Sequence, residues 1–170
     1  MTRDQKIVAI GALSGVISMM VAVWFLHRAL PAPLGLTSVG DRLGYALRWD
    51  MVAAVPLFLM IGAVGNARAF SKAIDPTLGA ESRSLIVDGR VADNTTQQFL
   101  LFLAGSLGLA ASLPAERMTL IAAAAIWFVA ARLAFWVGYR IHPLYRAFGF
   151  AGTAYLNLCL IGAALWLGFR

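Results

Sequence analysis

The sequence predicts an all-α fold, a polytopic membrane helical bundle. Hydrophobic residues make up 61% of the chain and charged residues only 13%, which is unlike the composition of soluble globular domains. Several apolar runs approach the length of about 20 residues that a helix needs to cross the hydrocarbon core of a bilayer. In lipid every backbone polar group needs an internal partner, so each of these runs is expected to be helical. The lipid bilayer is therefore the first predicted partner.

Five apolar runs are predicted to be membrane-spanning helices. In chain order they are Ile7–Leu26, Met51–Phe70, Asn94–Leu113, Met118–Tyr139 and Phe148–Phe169. The first run is too long for the apolar core of a signal peptide, and Asp4 dilutes the charge before it, so an uncleaved helix is favoured. Two polar segments, 27–50 and 71–93, are predicted to be loops. Short connections make the last three spans antiparallel neighbours.

A polar turn at the start of the third span, Arg90–Gln98, leads directly into the apolar run Phe99–Leu113. That run gives only about 22 Å of helix, which is short for a membrane crossing. The helix is therefore predicted to start earlier, with Asp93 or Asn94 as its N-cap. This start brings polar side chains to the membrane boundary or into the membrane.

Six hydrogen-bonding side chains are predicted to converge at one membrane face, on stripes of helical spacing and at the start of the last span. They are Arg90, Asn94, Gln97, Arg132, Tyr139 and Arg146. Taken singly, each arginine fits contact with a lipid headgroup, and the amides fit contacts between helices. An arginine inside a span costs about 2.5–3.5 kcal/mol on insertion scales. Because Asp93 is the only acid near the set, the cluster as a whole predicts a phosphate headgroup or an anionic ligand.

The distribution of charged and ligating residues excludes other partners. The net charge is +6, but the basic residues are scattered between apolar runs, so no nucleic acid is predicted as a partner. An intracellular N-terminus places nine of the 14 basic residues on the cytoplasmic side and the C-terminus outside, in agreement with the positive-inside rule. His27 and His142 then fall on opposite sides, and Cys159 is the only cysteine, so no metal site is predicted.

The spacing of the polar residues resembles the MAPEG family, the membrane-associated proteins of eicosanoid and glutathione metabolism. The family pattern R-x-x-x-N-x-x-E is matched by Arg90-x-x-x-Asn94-x-x-Gln97. The pattern R-L-x-Y-x-x-G-Y, with an arginine seven residues later, is matched by 132–139 and Arg146. The resemblance divides the chain into an added helix with its connecting loop, 1–48, and a four-helix unit, 49–170. This arrangement is also similar to the MAPEG-like region of mattrin-type transmembrane proteins.

The resemblance implies a homotrimer in a bacterial inner membrane that binds glutathione between protomers as its co-substrate. It implies that Arg146 faces the glutathione sulfur as the catalytic residue. It further implies that the carboxylates and amides of glutathione contact Arg90, Asn94, Gln97, Arg132 and Tyr139. A nearby guanidinium stabilises a thiolate, and the thiolate is the nucleophile that would attack a small lipophilic substrate.

Two departures from the family pattern leave a second function open. Gln97 replaces the usual Glu and removes a charge that would receive the ligand's amino group, and Phe135 replaces a Tyr and removes a hydroxyl. These departures favour a non-catalytic MAPEG-like protein that binds lipid or a protein partner. The retained arginines favour a glutathione transferase or a glutathione-dependent peroxidase. A third hypothesis, a small transporter, is less favoured, because the sequence shows no inverted repeats and no ion pair near the middle of a span.

Overall fold

Five long α-helices make up the fold, and the computed structural model describes all of residues 1–170. The helices are α1 (Arg3–Ala29), α2 (Val39–Ala69), α3 (Arg83–Ser112), α4 (Thr119–Ile141) and α5 (Ala147–Gly168). Single turns of 3₁₀ helix occur only in the connections, and no strand is present. At one end of the bundle, which we call the proximal end, α1, α3 and α5 begin and α2 and α4 end. The predicted all-α bundle is confirmed.

Two helices begin well before their apolar runs. α2 starts at Val39, after a capping box in which the Ser38 hydroxyl accepts from the Asp41 N–H and the Asp41 carboxylate accepts from the Ser38 N–H. α3 starts at Arg83, because the Ser82 hydroxyl accepts from the Leu85 N–H at 3.3 Å. The predicted loops at 27–50 and 71–93 are therefore too long, and the predicted N-cap of α3 at Asp93 or Asn94 is wrong. Apolar periodicity misses helical turns that are polar.

Four helical segments are long and apolar enough to cross a membrane: α1, α2, α5, and α4 with its preceding turn, Ala115–Ile141. α3 is not among them, although its 30 residues extend about 45 Å. Its first half is polar, and it is instead packed against α2, α4 and α5. Protein contacts therefore replace lipid contacts along much of the one helix whose composition suits lipid least.

The core of the bundle lies around α4. Phe128 on α4 contacts Phe102 on α3, and their ring centres are 4.7 Å apart. Glycines allow the helices to approach closely: a Cβ atom at Gly105 of α3 would lie 2.9 Å from the Cβ of Leu160 on α5. α1 packs against α4 and α5 on the outside of this core. Small residues at helix contacts are the usual way to gain packing energy in lipid.

Buried hydrogen bonds link α3 to its neighbours in the middle of the bundle. The Ser106 hydroxyl donates to the Asp50 carboxylate of α2 at 2.7 Å. The Asn157 amide of α5 donates to both the side-chain and the backbone oxygens of Gln98, each at 2.9 Å. These bonds fix the register of α3, because a slipped helix would leave the polar groups unpaired in an apolar interior.

Candidate functional site

A cavity of ≈ 580 Å³ opens at the proximal end between α1, α3, α4 and α5. Nine of its 13 lining residues are hydrophobic, among them Phe135 and Phe150. Four of the six residues predicted from the sequence line it: Arg90, Asn94, Tyr139 and Arg146. The volume falls within the range of about 300–1,000 Å³ that is typical of small-molecule sites. The cavity therefore joins a cationic region to a larger apolar one.

Arg146 lies over the face of Tyr139, and its guanidinium carbon is 4.8 Å from the ring centre. Residues 143–146 form turns, and Arg146 is the N-cap of α5, so Pro143 lies in the connection before this helix. Gly138 brings this turn against α4, because a Cβ atom there would lie 2.8 Å from the Tyr145 carbonyl oxygen. Arg146 remains exposed, so its charge is available to a ligand in the cavity.

Arg90 and Asn94 bring α3 into the cavity, one helical turn apart. Arg90 is exposed at the rim, whereas Asn94 is half-buried. The carbonyl oxygen of the Asn94 side chain accepts a hydrogen bond from Arg132 at 3.0 Å. This bond directs the remaining donor group of Asn94, its amide NH₂, away from Arg132.

Arg132 lies beneath the cavity and is completely buried. Its guanidinium donates to the hydroxyl of Thr95 at 2.7 Å and to that of Thr153 at 3.2 Å, and it stacks 4.0 Å from the ring centre of Phe135. All of its partners are neutral, so this charge has no carboxylate counter-ion in the bundle. Arg132 does not line the cavity, but it contacts two residues that do, Asn94 and Phe135.

Gln97 also lies outside the cavity lining, on the exposed face of α3. Its neighbour Gln98 is the buried amide, paired with Asn157 of α5. The structure thus joins five of the six predicted residues in one cluster and directs the sixth, Gln97, towards the surroundings of the bundle.

A clamp beside the cavity was not predicted from the sequence. Asp88 is only 2% exposed and accepts hydrogen bonds from Arg140 and from the indole N–H of Trp136, each at 2.8 Å. Asp93, the only acid predicted to lie near the arginines, is exposed and forms no ion pair. Helical spacing could have pointed to Asp88. It lies seven residues before Thr95 on α3, so the two side chains share the helix face that contacts α4. The clamp holds α3 and α4 together at the proximal end.

Comparison with known families decides the identity of the fold. The model of the MAPEG family matches residues 46–166, well over half of the chain. The chain belongs to the MAPEG family. This confirms the resemblance and makes the protein an integral membrane protein of the kind that serves glutathione and eicosanoid metabolism. No curated protein and no solved structure gives a match.

The MAPEG match separates the cavity into two parts. Arg90, Asn94, Tyr139 and Arg146 all lie within the matched residues 46–166. α1 lies outside the match, yet it contributes to the cavity lining. The match begins inside α2, which starts at Val39, so the added segment and the family unit share one continuous helix.

Proposed function

We propose that this MAPEG protein binds glutathione in the proximal cavity and activates its thiolate for transfer to, or reduction of, a lipophilic electrophile. The observation that carries the proposal is the cavity itself, in which two exposed arginines face a mainly apolar lining. A tripeptide with two carboxylates needs cationic partners, and a lipophilic electrophile needs apolar surface. The cavity of ≈ 580 Å³ offers both cationic side chains and apolar surface.

The proposed roles follow from the position of each side chain. Arg90, at the rim, binds a carboxylate of glutathione, and the half-buried Asn94 binds an amide. Tyr139 supports Arg146 through its ring face and lines the same wall. Arg132 is a positioning residue that acts on the ligand through Asn94. Gln97, on the exposed face of α3, reaches the ligand only where a second copy of the chain completes the site.

Arg146 is the residue proposed to face the sulfur. A free thiol has a pKa of about 8.5, and a neighbouring guanidinium lowers that pKa by stabilising the anion. Arg146 occupies the N-cap position of α5, so the dipole of that helix adds to its charge. The thiolate forms a bond to the electrophilic carbon as the bond from that carbon to its leaving group breaks, or a bond to one oxygen of a peroxide as the O–O bond breaks. The leaving group takes the electron pair of the broken bond and then a proton from water.

Substitution of Arg146 and Arg90 separates activation from binding. In Arg146→Ala we expect the pKa of the bound glutathione thiol to rise by about one to two units, because one neighbouring cation is lost. Arg90→Ala should instead weaken glutathione binding with little change in that pKa, since a bond to a carboxylate is a ground-state interaction. Thiolate absorbance as a function of pH measures the first effect, and isothermal titration calorimetry measures the second.

Arg117→Ala is the matched control, because Arg117 is exposed at the opposite end of the bundle. It should change neither the pKa nor the affinity. The assignment of roles is wrong if Arg146→Ala leaves the thiol pKa unchanged while Arg90→Ala raises it. Absence of a thiolate band at saturating glutathione would remove the transferase and peroxidase functions altogether.

A non-catalytic function as a binder of lipid or of a protein partner is the second candidate. It is favoured by Phe135, which lines the cavity with a plain ring and stacks on Arg132 where the family pattern has a tyrosine hydroxyl. It is favoured also by Gln97, which lacks the charge of the family's glutamate. In this case an anionic lipid headgroup would occupy the cationic part of the cavity, and glutathione would show no thiolate band.

We further propose that the protein is a homotrimer in a bacterial inner membrane. Asp93, Gln97, Leu100 and Ala104 are exposed on one stripe of α3, at spacings of four, three and four residues. Polar groups on the outside of a membrane bundle favour contact with another chain over contact with lipid. The stripe adjoins Arg90, so copies that meet there would meet beside the cavity. The proposed topology keeps the N-terminus cytoplasmic, and the proposed units remain 1–48 and 49–170.

Bulk added to this stripe should weaken the assembly. In Ala104→Trp we expect native mass spectrometry in mild detergent to show loss of a three-chain species, because a large ring prevents close approach of the helices. Leu158→Trp is the control, since Leu158 is 65% exposed on α5, away from the stripe. A clean monomer or dimer mass for the unsubstituted protein would contradict the trimer.

A further inference from the structure

α1 contributes directly to the cavity although it lies outside the family match at 46–166. Val8 and Ala12, one helical turn apart, form part of its lining. Only two residues of α1 are buried, Gly15 and Met19, so most of the helix surface has no protein partner. The face that carries Val8 and Ala12 is therefore a thin partition between the cavity and the surroundings of the bundle.

α1 is held against the bundle at both ends. Near its start, a Cβ atom at Gly11 would lie 3.2 Å from the Cβ of Ala147, and one at Gly15 would overlap the carbonyl oxygen of Phe148. The backbones of α1 and α5 therefore approach closely beside the cavity. At its far end the imidazole Nδ1 of His27 forms a hydrogen bond with the hydroxyl of Thr119, at the start of α4. These contacts fix the partition in place.

A second apolar wall of the cavity belongs to α5. Phe150, Ala151 and Tyr155 form it, four to nine residues along the chain from the cationic end at Arg146. A ligand whose anionic group lies near Arg146 would direct its apolar part along the cavity walls formed by α5 and α1. Ala12 contributes only a methyl group to this lining, so a larger side chain there would take up cavity volume.

We propose that α1 is the outer wall of the binding site for the hydrocarbon part of the substrate, and that Val8 and Ala12 determine which chain lengths fit. The inference deepens the proposed function, since it rests on a lipophilic substrate bound in the same cavity. Each methylene group that the wall excludes from apolar contact lowers the affinity about fourfold.

The test uses photolabelling of the full chain in lipid nanodiscs with a palmitic acid that carries a diazirine. Its adducts are mapped by mass spectrometry, and lauric and octanoic acids serve as competitors. In the unsubstituted protein we expect adducts on both walls, near Ala12 and near Phe150. In Ala12→Phe the labelling of α5 should fall by about fourfold or more, and octanoic acid should become the better competitor. Val8→Ala should shift the preference towards palmitic acid.

Ala9→Phe is the matched control, because Ala9 lies on the exposed side of the same helix. It should label like the unsubstituted protein. Equal labelling of α5 in Ala12→Phe and Ala9→Phe would overturn the proposal, and so would adducts confined to outward residues such as Leu13 and Ile17. The unchanged preference of a well-folded Val8→Ala variant would also count against it.

The failure of this inference is distinguishable from a failure of the proposed function. The photolabel requires neither glutathione nor turnover, whereas the thiolate band requires both Arg146 and bound glutathione. If both walls are labelled but no thiolate band appears, the proposal that α1 is a wall of the site stands and the proposed transferase function fails. If a thiolate band appears but Ala12→Phe does not change the labelling of α5, the proposed transferase function stands and the proposed role of α1 fails.

Discussion

Replacement of Arg132 by methionine is expected to lower the affinity for an anionic ligand more than tenfold while leaving the free energy of unfolding unchanged or raising it. Arg132 is completely buried and all its partners are neutral. Removing a charge from water costs several kcal/mol per ion, and a methionine of similar length avoids that cost. Ligand binding should therefore weaken without a loss of stability.

The two threonines that contact Arg132 explain why the loss is tolerable. Thr95 donates its own proton to the Val91 carbonyl oxygen at 2.7 Å, and Thr153 donates to that of Gly149 at 2.9 Å. Both hydroxyl groups therefore keep a partner when the guanidinium is removed. Asn94 loses the bond that orients its amide, and a tenfold loss of affinity corresponds to about 1.4 kcal/mol.

Calorimetric titration with glutathione sulfonate, an unreactive anionic analogue, measures the affinity, and thermal unfolding in detergent measures the stability. Arg42→Met is the control, because Arg42 is partly buried but donates to the Ala110 and Ala111 carbonyl oxygens at the other end of the bundle. It should leave the affinity unchanged. Unaltered affinity in Arg132→Met would show that the buried charge has no role in the site.

Substitution of Gly149 by alanine is expected to destabilise the bundle by about 1–3 kcal/mol, the usual cost of overpacking. A Cβ atom at Gly149 would overlap the Ala131 carbonyl oxygen and lie 2.7 Å from the Cβ of Phe135. The obstacle is the backbone of α4, which cannot move aside as a flexible side chain would. α5 must shift, and Arg146, three residues away, moves with it.

Gly162→Ala on the same helix is the control, since a Cβ atom there meets nothing within 4 Å. It should be neutral or stabilising, by at most about 1 kcal/mol from helix propensity. Thermal unfolding in detergent compares the two variants, and the affinity for glutathione sulfonate reports the displacement of Arg146. Equal stabilities of the two variants would show that the backbone of α4 does not pack closely against Gly149.

The sequence predicts α4 and α5 to within a few residues because their apolar runs fill the whole helix. It places the starts of α2 and α3 eleven or twelve residues too late, because Ser38 and Ser82 begin helices whose first turns are polar. Hydropathy marks the part of a helix that contacts apolar surroundings, whereas capping side chains mark where its hydrogen bonds begin. The two boundaries differ wherever a helix extends beyond the membrane or against protein.

The sequence predicts which residues form the candidate site, but not how deeply each of them is buried. Helical spacing puts Arg90, Asn94 and Arg132 at one end of the bundle, but the same spacing cannot tell a rim position from one beneath the cavity. The burial of Arg132 depends on hydroxyl partners from two helices, which only the packed structure brings together. Val8 was missed for another reason: the family pattern does not include α1, so no motif pointed to it.

The polar first half of α3 has a consequence for biosynthesis. Thr95 finds its partner Arg132 on α4, and Gln98 finds Asn157 on α5, so both partners lie later in the chain. An unpaired polar group in hydrocarbon costs several kcal/mol. Transfer of α3 by itself from the translocation machinery into lipid is therefore unfavourable. Since a ribosome delivers α4 and α5 after α3, we expect these three helices to enter the bilayer together, because a chain that ends after α3 lacks the partners that would retain it there.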